Sequence, residues 1–298
     1  MRVATGPFSR KIMAALAVMG GPVLAACSGP PAAKPPPAPA SYYLALGDSL
    51  AQGVQPDAAG TSVETPQGYP DLVYATLRAS HPGLRLVRLG CPGETTLTMM
   101  HGGICHYPAG SQLAAATAFL HAHRGHVFLV TIDIGANDLE DCGSQPNLAQ
   151  LASCITQIPK DTADVATILT SLRAAAGPGV RIVGMNYYLP ALAEWRSGLL
   201  GHTTAELSEK FAVAYDDLLK HAYGQAGIGV ADVFGAFETT NFGNPVVVPG
   251  IGSLPRNVAR ICQWTWECAP PPRGPNQHAN AAGYRVIADE ILAAAKLS

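Results

Sequence analysis

Short apolar runs alternate with longer stretches of helical periodicity along most of the chain. The apolar runs have strand length and predict five β-strands, at 42–46, 84–89, 127–134, 180–186 and 228–233. The segments between and after them predict helices at 69–79, at 111–123, in a long stretch ending at 176, at 204–223, and from 281 onward. This alternation predicts a parallel sheet whose strands are joined by right-handed crossovers and whose two faces are covered by helices.

Two segments are longer than this scaffold needs. One spans 91–109, after the second strand, and the other spans 235–277, before the last helix. Both leave the carboxyl edge of the predicted sheet, and long ordered loops at such an edge are often binding walls. We therefore expect these two segments to form the walls of a binding site, in preference to surface elaboration without function.

The N-terminal segment is read as a targeting signal and excluded from the fold. Basic residues precede an apolar stretch at 12–23, which is short for a membrane span, and Leu24-Ala25-Ala26 supplies the small residues of a cleavage site before Cys27. This resembles a bacterial lipoprotein signal, which implies cleavage before Cys27 and lipidation of its thiol. An ordinary secretion signal is the alternative. Both place the mature protein outside the cytoplasm.

The expected organisation is a signal peptide (1–26), a Pro/Ala-rich extended tether (27–41) and one large domain (42–298). Hydrophobic residues make up 48% of the chain and charged residues 13%, so apolar material for a core is ample. The net charge of −2 provides no basic footprint for nucleic acid.

Six cysteines follow Cys27, and an even number in an exported chain predicts disulfides. Sequence alone leaves the pairing open. The simplest pairs join sequence neighbours, namely Cys91 with Cys105, Cys142 with Cys154, and Cys262 with Cys268. Their spacing argues against a zinc site, and the nearby His101 and His106 are interpreted as loop residues.

Residues that could take part in catalysis follow several of the predicted strands and precede the last helix. Ser49 lies in the turn after the first strand, Gly93 follows the second, Asn137 follows the third, and His278 precedes the final helix. The carboxyl ends of parallel strands share one edge, where ligands bind. A serine nucleophile needs a base and hydrogen-bond donors for an oxyanion. His278 is the best candidate for the base, while Gly93 and Asn137 offer a backbone and a side-chain donor.

These pieces, in this order, resemble the blocks of the GDSL or SGNH hydrolase family. The blocks are Gly47-Asp48-Ser49-Leu50, Gly93 before Glu94-Thr95-Thr96, Gly135-Ala136-Asn137-Asp138, and His278 with Asn280-Ala281-Ala282-Gly283-Tyr284. The resemblance implies a serine esterase or lipase on a flavodoxin-like three-layer α/β/α fold with about five parallel strands, needing neither metal nor cofactor. It implies that Ser49 is the nucleophile, that His278 is the base, and that Ser49 N–H, Gly93 N–H and the Asn137 amide bind the oxyanion. The cysteine pattern is similar to that of secreted actinobacterial lipases and esterases.

One position departs from the family pattern. The family usually carries an aspartate three residues before the histidine, and this chain carries Pro275 there. We expect the main-chain carbonyl of Pro275 to orient His278, with Asp232 or Glu267 as rivals. The acidic residues within the blocks, Asp48, Glu94 and Asp138, are expected to be structural.

The expected substrate is an ester with an acyl chain, and the absence of an amphipathic lid favours short or medium chains. Trp264 and Trp266 either line the acyl site or pack their loop against the domain. Two alternatives stay open: a carbohydrate O-deacetylase, and an envelope lipoprotein that retains the fold as a non-enzymatic binding module. The other expected partner is a membrane, reached through lipidated Cys27.

Overall fold

A computed structural model describes residues 41–143 and 148–297 of the protein, and the side chains of these residues apart from 140–143 and 148–155. The strands are β1 (Ser41–Gly47), β2 (Gln55–Pro56), β3 (Ser62–Val63), β4 (Leu84–Arg88), β5 (Val127–Asp133), β6 (Arg181–Met185), β7 (Gly229–Ala231), β8 (Val246–Val248) and β9 (Gly252–Leu254). The helices are α1 (Tyr69–Ser80), α2 (Thr96–His101), α3 (Gln112–Ala122), α4 (Ala136–Gly143), α5 (Leu148–Ala176), a 3-10 helix (Pro190–Ser197), α6 (Leu199–Gln225), α7 (Val233–Ala236), α8 (Arg256–Trp264) and α9 (Ala281–Ala294).

Five strands form the central sheet, in the order β4-β1-β5-β6-β7, and all of their pairings are parallel. The chain first moves outward from β1 to β4 and then crosses back to β5. The direction of winding therefore reverses between β1 and β5, and the crevice beyond their carboxyl ends is where such a sheet binds ligands. The predicted fold class is confirmed, with each predicted strand close to its observed position.

Alternate residues of the strands enter two separate cores. On β1, Tyr43 and Ala45 join the core under α1 and α9, whereas Leu44 and Leu46 join the core under α3 and α5. Successive side chains of a strand point to opposite faces, so a strand with a core on each face is apolar throughout. This explains why β1 appears in the sequence as a continuous apolar run, whereas the edge strand β4, which is only partly buried, carries Arg85 and Arg88.

Two of the predicted disulfides are confirmed, Cys91 with Cys105 and Cys262 with Cys268. The side chains of Cys142 and Cys154 lie outside the described residues. The predicted signal peptide, Cys27 and nearly all of the tether lie outside them as well. Within the described part of the chain, no helix is both long and apolar enough to cross a bilayer.

Candidate active site

The turn that carries Ser49 is held by a buried amide. Gln112, the first residue of α3, accepts a hydrogen bond from Gly47 N–H at 2.7 Å and donates one to Gly47 C=O at 3.0 Å. Gly47 has φ of +134°, and a Cβ there would collide with Asp133. Only glycine fits this conformation and this space, so the chain can turn sharply at the end of β1 and place Ser49 at the sheet edge.

A buried pair of carboxyl groups lies beneath this turn. Asp48 accepts a hydrogen bond from Leu50 N–H at 2.9 Å and another from the Tyr187 hydroxyl at 2.9 Å. Asp133 accepts one from Asp48 N–H and one from the Tyr69 hydroxyl. Burial and the nearby Asp48 carboxylate raise the pKa of Asp133 well above its usual range. Asp48 thus bonds one amide of the turn, as expected for a structural residue.

The loop after β4 is tied to the loop after β5. Asn137 donates one side-chain N–H to Glu94 C=O at 2.8 Å, and a carboxamide nitrogen carries a second N–H. The Glu94 carboxylate accepts a hydrogen bond from Gln112 at 2.8 Å, and Asp138 accepts one from the Thr96 hydroxyl at 2.7 Å. Both carboxylates therefore hold neighbouring segments together, which is what a structural residue would do. Gly93 is exposed, with φ of +80° and open space where a Cβ would stand.

His278 lies on a short backbone ladder. Its carbonyl accepts a hydrogen bond from Trp266 N–H at 3.0 Å, and Asn280 N–H donates to Trp264 C=O at 2.9 Å. The Tyr188 hydroxyl donates to the carbonyl of Gln277 at 2.9 Å. Residues 264–266, which make the first two of these bonds, lie between Cys262 and Cys268 and are closed into a loop by that disulfide. This part of the predicted long loop therefore supports His278.

The partner of the imidazole differs from the one predicted. Nδ1 of His278 is 2.9 Å from the side-chain oxygen of Asn276, which also accepts the backbone N–H of His278 at 3.1 Å. The prediction that the Pro275 carbonyl occupies this place is corrected to Asn276. A short polar side chain two residues before the histidine closes a local turn back onto it, and this brings its oxygen to the ring.

The two acidic rivals do not take this place either. Asp232 accepts a hydrogen bond from Asn186 at 2.7 Å and pairs with Lys220 at 3.2 Å. Glu267 lies on the same cavity wall as His278, and burial raises the pKa of its carboxyl. Burial lowers the pKa of His278 to about 4. A carboxylate bonded to the ring would act in the opposite direction, since it favours the imidazolium.

A cavity of about 660 Å³ opens at the carboxyl edge of the sheet. Ser49, Asn137 and His278 all line it, although 229 positions separate the first from the last. Gly93 is not among its lining residues, but it precedes Glu94, to which Asn137 is bonded. The structure therefore brings a hydroxyl, an amide and an imidazole to one cavity.

The cavity wall comes mainly from elements that the sequence analysis did not assign to it. One face of α6 contributes Leu207, Phe211, Tyr215 and Leu219, which recur every four residues. Segment 91–109 contributes no lining residue, and 235–277 contributes only Glu267 and Gln277. The prediction that these two segments wall the site is therefore wrong. A long surface segment can hold the backbone of a site residue without lining the cavity, as residues 264–266 do for His278.

The two tryptophans pack their loop against the domain. The Trp264 ring lies edge-on to Phe237, with their centroids 5.0 Å apart, and it stacks under the Arg260 guanidinium. Trp266 donates its indole N–H to Gln55 at 3.3 Å. Neither ring lines the cavity. Of the two roles considered for them, the packing role is the one observed.

Comparison with protein families identifies the chain. The model of the GDSL-like lipase/acylhydrolase family matches residues 45–286, which is most of the sequence. The chain belongs to this family. The match begins within β1, just before Ser49, and ends within α9, beyond His278. No curated protein matches the chain.

Solved structures similar to this GDSL-like hydrolase share its fold at low sequence identity. The extracellular lipase of Streptomyces rimosus is 20% identical, with a TM-score of 0.52, covering 85% of this chain and 100% of the lipase. The acetylxylan esterase Axe2 of Geobacillus stearothermophilus is 17% identical, with a TM-score of 0.51, covering 87% and 95%. LAE5, an α/β hydrolase from the metagenome of Lake Arreo in Spain, is 20% identical, with a TM-score of 0.51, covering 86% and 95%.

Sequence reasoning missed three contributors to the site of this GDSL-like hydrolase: Gln112, Asn276 and the cavity face of α6. Gln112 acts on a residue 65 positions away, so no local signal marks it. Asn276 did carry a signal, because an asparagine two residues before a histidine can close a turn onto that residue. The sequence pattern predicts a helix at 204–223, within α6, but periodicity alone does not show which of its faces lines a cavity.

Proposed function

We propose that this hydrolase is an extracytoplasmic serine esterase that cleaves carboxylic esters with acyl chains longer than acetyl, through an acyl-enzyme on Ser49. The observation that carries the proposal is the single cavity lined by Ser49, Asn137 and His278. A nucleophile, a base and an oxyanion donor in one partly apolar cleft are the parts that ester hydrolysis requires.

In acylation, Nε2 of His278 takes the hydroxyl proton of Ser49 as Oγ bonds to the ester carbonyl carbon. The carbonyl π electrons move to the oxygen, and the resulting oxyanion accepts hydrogen bonds from the free N–H of Asn137 and the backbone N–H groups of Ser49 and Gly93. Collapse of this intermediate breaks the bond to the alkoxy oxygen. The imidazolium gives its proton to that oxygen, so the alcohol leaves neutral.

In deacylation, water replaces the alcohol. Nε2 takes a proton from the water as its oxygen bonds to the acyl carbon, and the same donors bind the second oxyanion. Cleavage of the bond to Ser49 Oγ releases the carboxylic acid, and the imidazolium returns its proton to Ser49. No electrons are exchanged with any other reactant. The products are one acid and one alcohol.

The apolar wall supports an acyl chain as the group bound beside Ser49. Leu139 of α4 and Ile158 of α5 line the cavity together with Leu207 and Phe211 of α6. Leu207 is 48% exposed and Phe211 36% exposed, so both expose apolar surface that a chain would cover. Each buried methylene contributes about 0.8 kcal/mol, a gain that an acetyl group cannot supply.

The charged side chains on the described cavity wall indicate which substrate charge the site would favour. Besides His278 they are acidic: Asp48, Glu194, Asp216 and Glu267. Asp216 is paired with Lys220 at 2.8 Å, and Asp48 is bonded beneath the nucleophile turn. Glu194 and Glu267 therefore disfavour an anionic substrate and favour departure of the carboxylate product.

The proposal of membrane anchoring rests on Leu24-Ala25-Ala26-Cys27. In a bacterial host fed an alkyne fatty acid, the full chain is expected to be labelled and to fractionate with membranes. The Cys27→Ser variant is expected to lose the label. Labelling that persists in this variant, or a wild-type chain without label, would contradict anchoring at Cys27.

A fluorophosphonate probe tests the enzyme class directly. The wild-type protein is expected to be labelled covalently and the folded Ser49→Ala variant is not, whereas a non-enzymatic binding module would not react. A panel of p-nitrophenyl esters from acetate to dodecanoate, assayed beside acetylated xylan, then tests the substrate. Rising kcat/KM from acetate to medium chains supports the proposal. Greater activity on acetylated xylan would instead support a carbohydrate O-deacetylase, a class that includes the structural neighbour Axe2.

A further inference from the structure

The hydrogen bonds of Asn276 determine which nitrogen of His278 carries the proton. The backbone N–H of His278 can only donate, so the Asn276 atom that faces it at 3.1 Å is the oxygen. That same oxygen lies 2.9 Å from Nδ1. An oxygen acceptor at Nδ1 requires Nδ1 to be protonated, which leaves the lone pair on Nε2.

The other end of the Asn276 amide is also held. The side-chain nitrogen of Asn276 donates to the Ser62 hydroxyl on β3 at 2.9 Å. The backbone N–H of Asn276 donates to Trp266 C=O at 3.3 Å. Rotation of the amide by 180° would present an N–H to the backbone N–H of His278 and lose that bond. The orientation of the oxygen toward the ring is therefore built into the loop.

We propose that Asn276 is a positioning residue, which holds His278 in the Nδ1–H tautomer so that Nε2 can act as the base toward Ser49. The role that a carboxylate usually performs in such sites falls here to a neutral amide two residues before the histidine, while the family's usual aspartate position is occupied by Pro275. An amide oxygen orients the ring but stabilises the imidazolium less than a carboxylate does. This inference deepens the proposed function and rests on it.

The variant Asn276→Leu removes the acceptor with little change in size, and Asn276→Asp restores an acceptor and adds a charge. With a p-nitrophenyl ester, Asn276→Leu is expected to lower kcat by about 10² to 10⁴-fold at nearly unchanged KM. Asn276→Asp is expected to keep activity and to move the acidic limb of the kcat/KM profile to higher pH, because a carboxylate at Nδ1 raises the pKa of the ring. Glu267, Glu194, Asp48 and Asp216, on the same cavity wall, are unchanged in both variants.

Asn241→Leu is the matched control, since Asn241 is half-buried, bonds Glu238 through its amide, and does not line the cavity. It is expected to leave kcat within about twofold of wild type. If Asn276→Leu also keeps wild-type kcat, or if Asn276→Asp is as inactive as Asn276→Leu with an unshifted profile, the positioning role is wrong.

Nitrogen-15 NMR of the His278 ring separates this inference from the proposed function, because it needs no turnover. The wild-type ring is expected to show protonated Nδ1 and unprotonated Nε2 at pH 7, and Asn276→Leu is expected to show a mixture dominated by Nε2–H. Protonated Nε2 in the wild type would overturn the inference. A wild type that has the expected tautomer but fails to react with the fluorophosphonate would overturn the proposed function alone.

Discussion

Gln112 binds both backbone polar groups of Gly47, accepting its N–H at 2.7 Å and donating to its carbonyl at 3.0 Å. The two residues are 65 positions apart, and the Gln112 side chain is fully buried. Because Gly47 begins the turn that carries Ser49, the start of α3 fixes the position of Ser49. The same amide nitrogen also holds the Glu94 carboxylate, which links the turn to the loop bonded by Asn137.

Replacing Gln112 with methionine is expected to destabilise the fold and to slow turnover. Gly47 N–H would lose its partner inside the protein. Gly47 C=O would keep the bond from Cys91 N–H, and the Glu94 carboxylate would keep the bond from Thr98. One unsatisfied buried N–H costs about 1 to 3 kcal/mol, so the free energy of unfolding should fall by about 1 to 3 kcal/mol. Urea denaturation measures this. The control Gln157→Met, on the exposed side of α5, should change it by less than about 0.5 kcal/mol. Equal stability of the two variants would show that the Gln112 amide does not support the turn.

The Asn137→Ala variant tests the side-chain oxyanion donor. It is expected to lower kcat by about 100- to 1000-fold with little change in KM, because the lost N–H acts on charge that develops in the transition state. The variant also frees Glu94 C=O, so circular dichroism and thermal unfolding should accompany the kinetics. Near-normal kcat in the folded variant would exclude Asn137 from the oxyanion site.

The low pKa of His278 predicts that activity persists into acid. Burial lowers this pKa from 6.5 to about 4, so the His278 ring stays neutral above about pH 4 and remains able to act as the proposed base. The kcat/KM profile for an uncharged ester should be flat down to about pH 5 and then fall, approaching tenfold per pH unit below about 4. An acidic limb near pH 6.5 would show that the ring is solvated, or that it faces a charge from Glu267 or Glu194.

The pH dependence of protein stability should also reflect the titration of His278. A histidine with a lower pKa in the folded than in the unfolded state contributes stability above pH 6.5, and this contribution is lost as the pH falls through about 4. Between pH 6.5 and about pH 4, the histidine of the unfolded chain binds a proton while that of the folded chain does not. Thermal unfolding measured from pH 7 to pH 4 should therefore decline less steeply for His278→Gln than for the wild type. Parallel curves would indicate that the ring has an ordinary pKa in the folded protein.

Phe211 is expected to set part of the acyl-chain preference. Phe211→Ala removes apolar surface from the cavity wall, so kcat/KM for octanoate esters should fall about tenfold while acetate esters are nearly unaffected. Leu218→Ala is the matched control, since Leu218 lies on α6 with similar exposure, 37% against 36%, but does not line the cavity. An equal loss for acetate and octanoate would place the acyl chain elsewhere.

Some of this architecture followed from the sequence because it depends on local pattern. Apolar runs such as 42–46 and 127–134 become β1 and β5 because a strand buried on both faces needs apolar side chains at every position. The order of strands and helices then predicts that the segments carrying Ser49, Asn137 and His278 meet at one edge. Neighbouring cysteines likewise pair where short loops permit it, as Cys91 with Cys105 and Cys262 with Cys268 do.

The sequence by itself therefore determined the sheet, the edge at which the candidate site lies, and the residue types that meet there. Only the tertiary structure decided that Gln112 holds the turn that carries Ser49, that Asn276 and not Pro275 faces His278, and that α6 and not the long loops lines the cavity. Periodicity records whether a residue is buried, and it is set by neighbours along the chain. Which distant partner a buried amide or an apolar face contacts depends on how whole elements pack, and no local pattern encodes that.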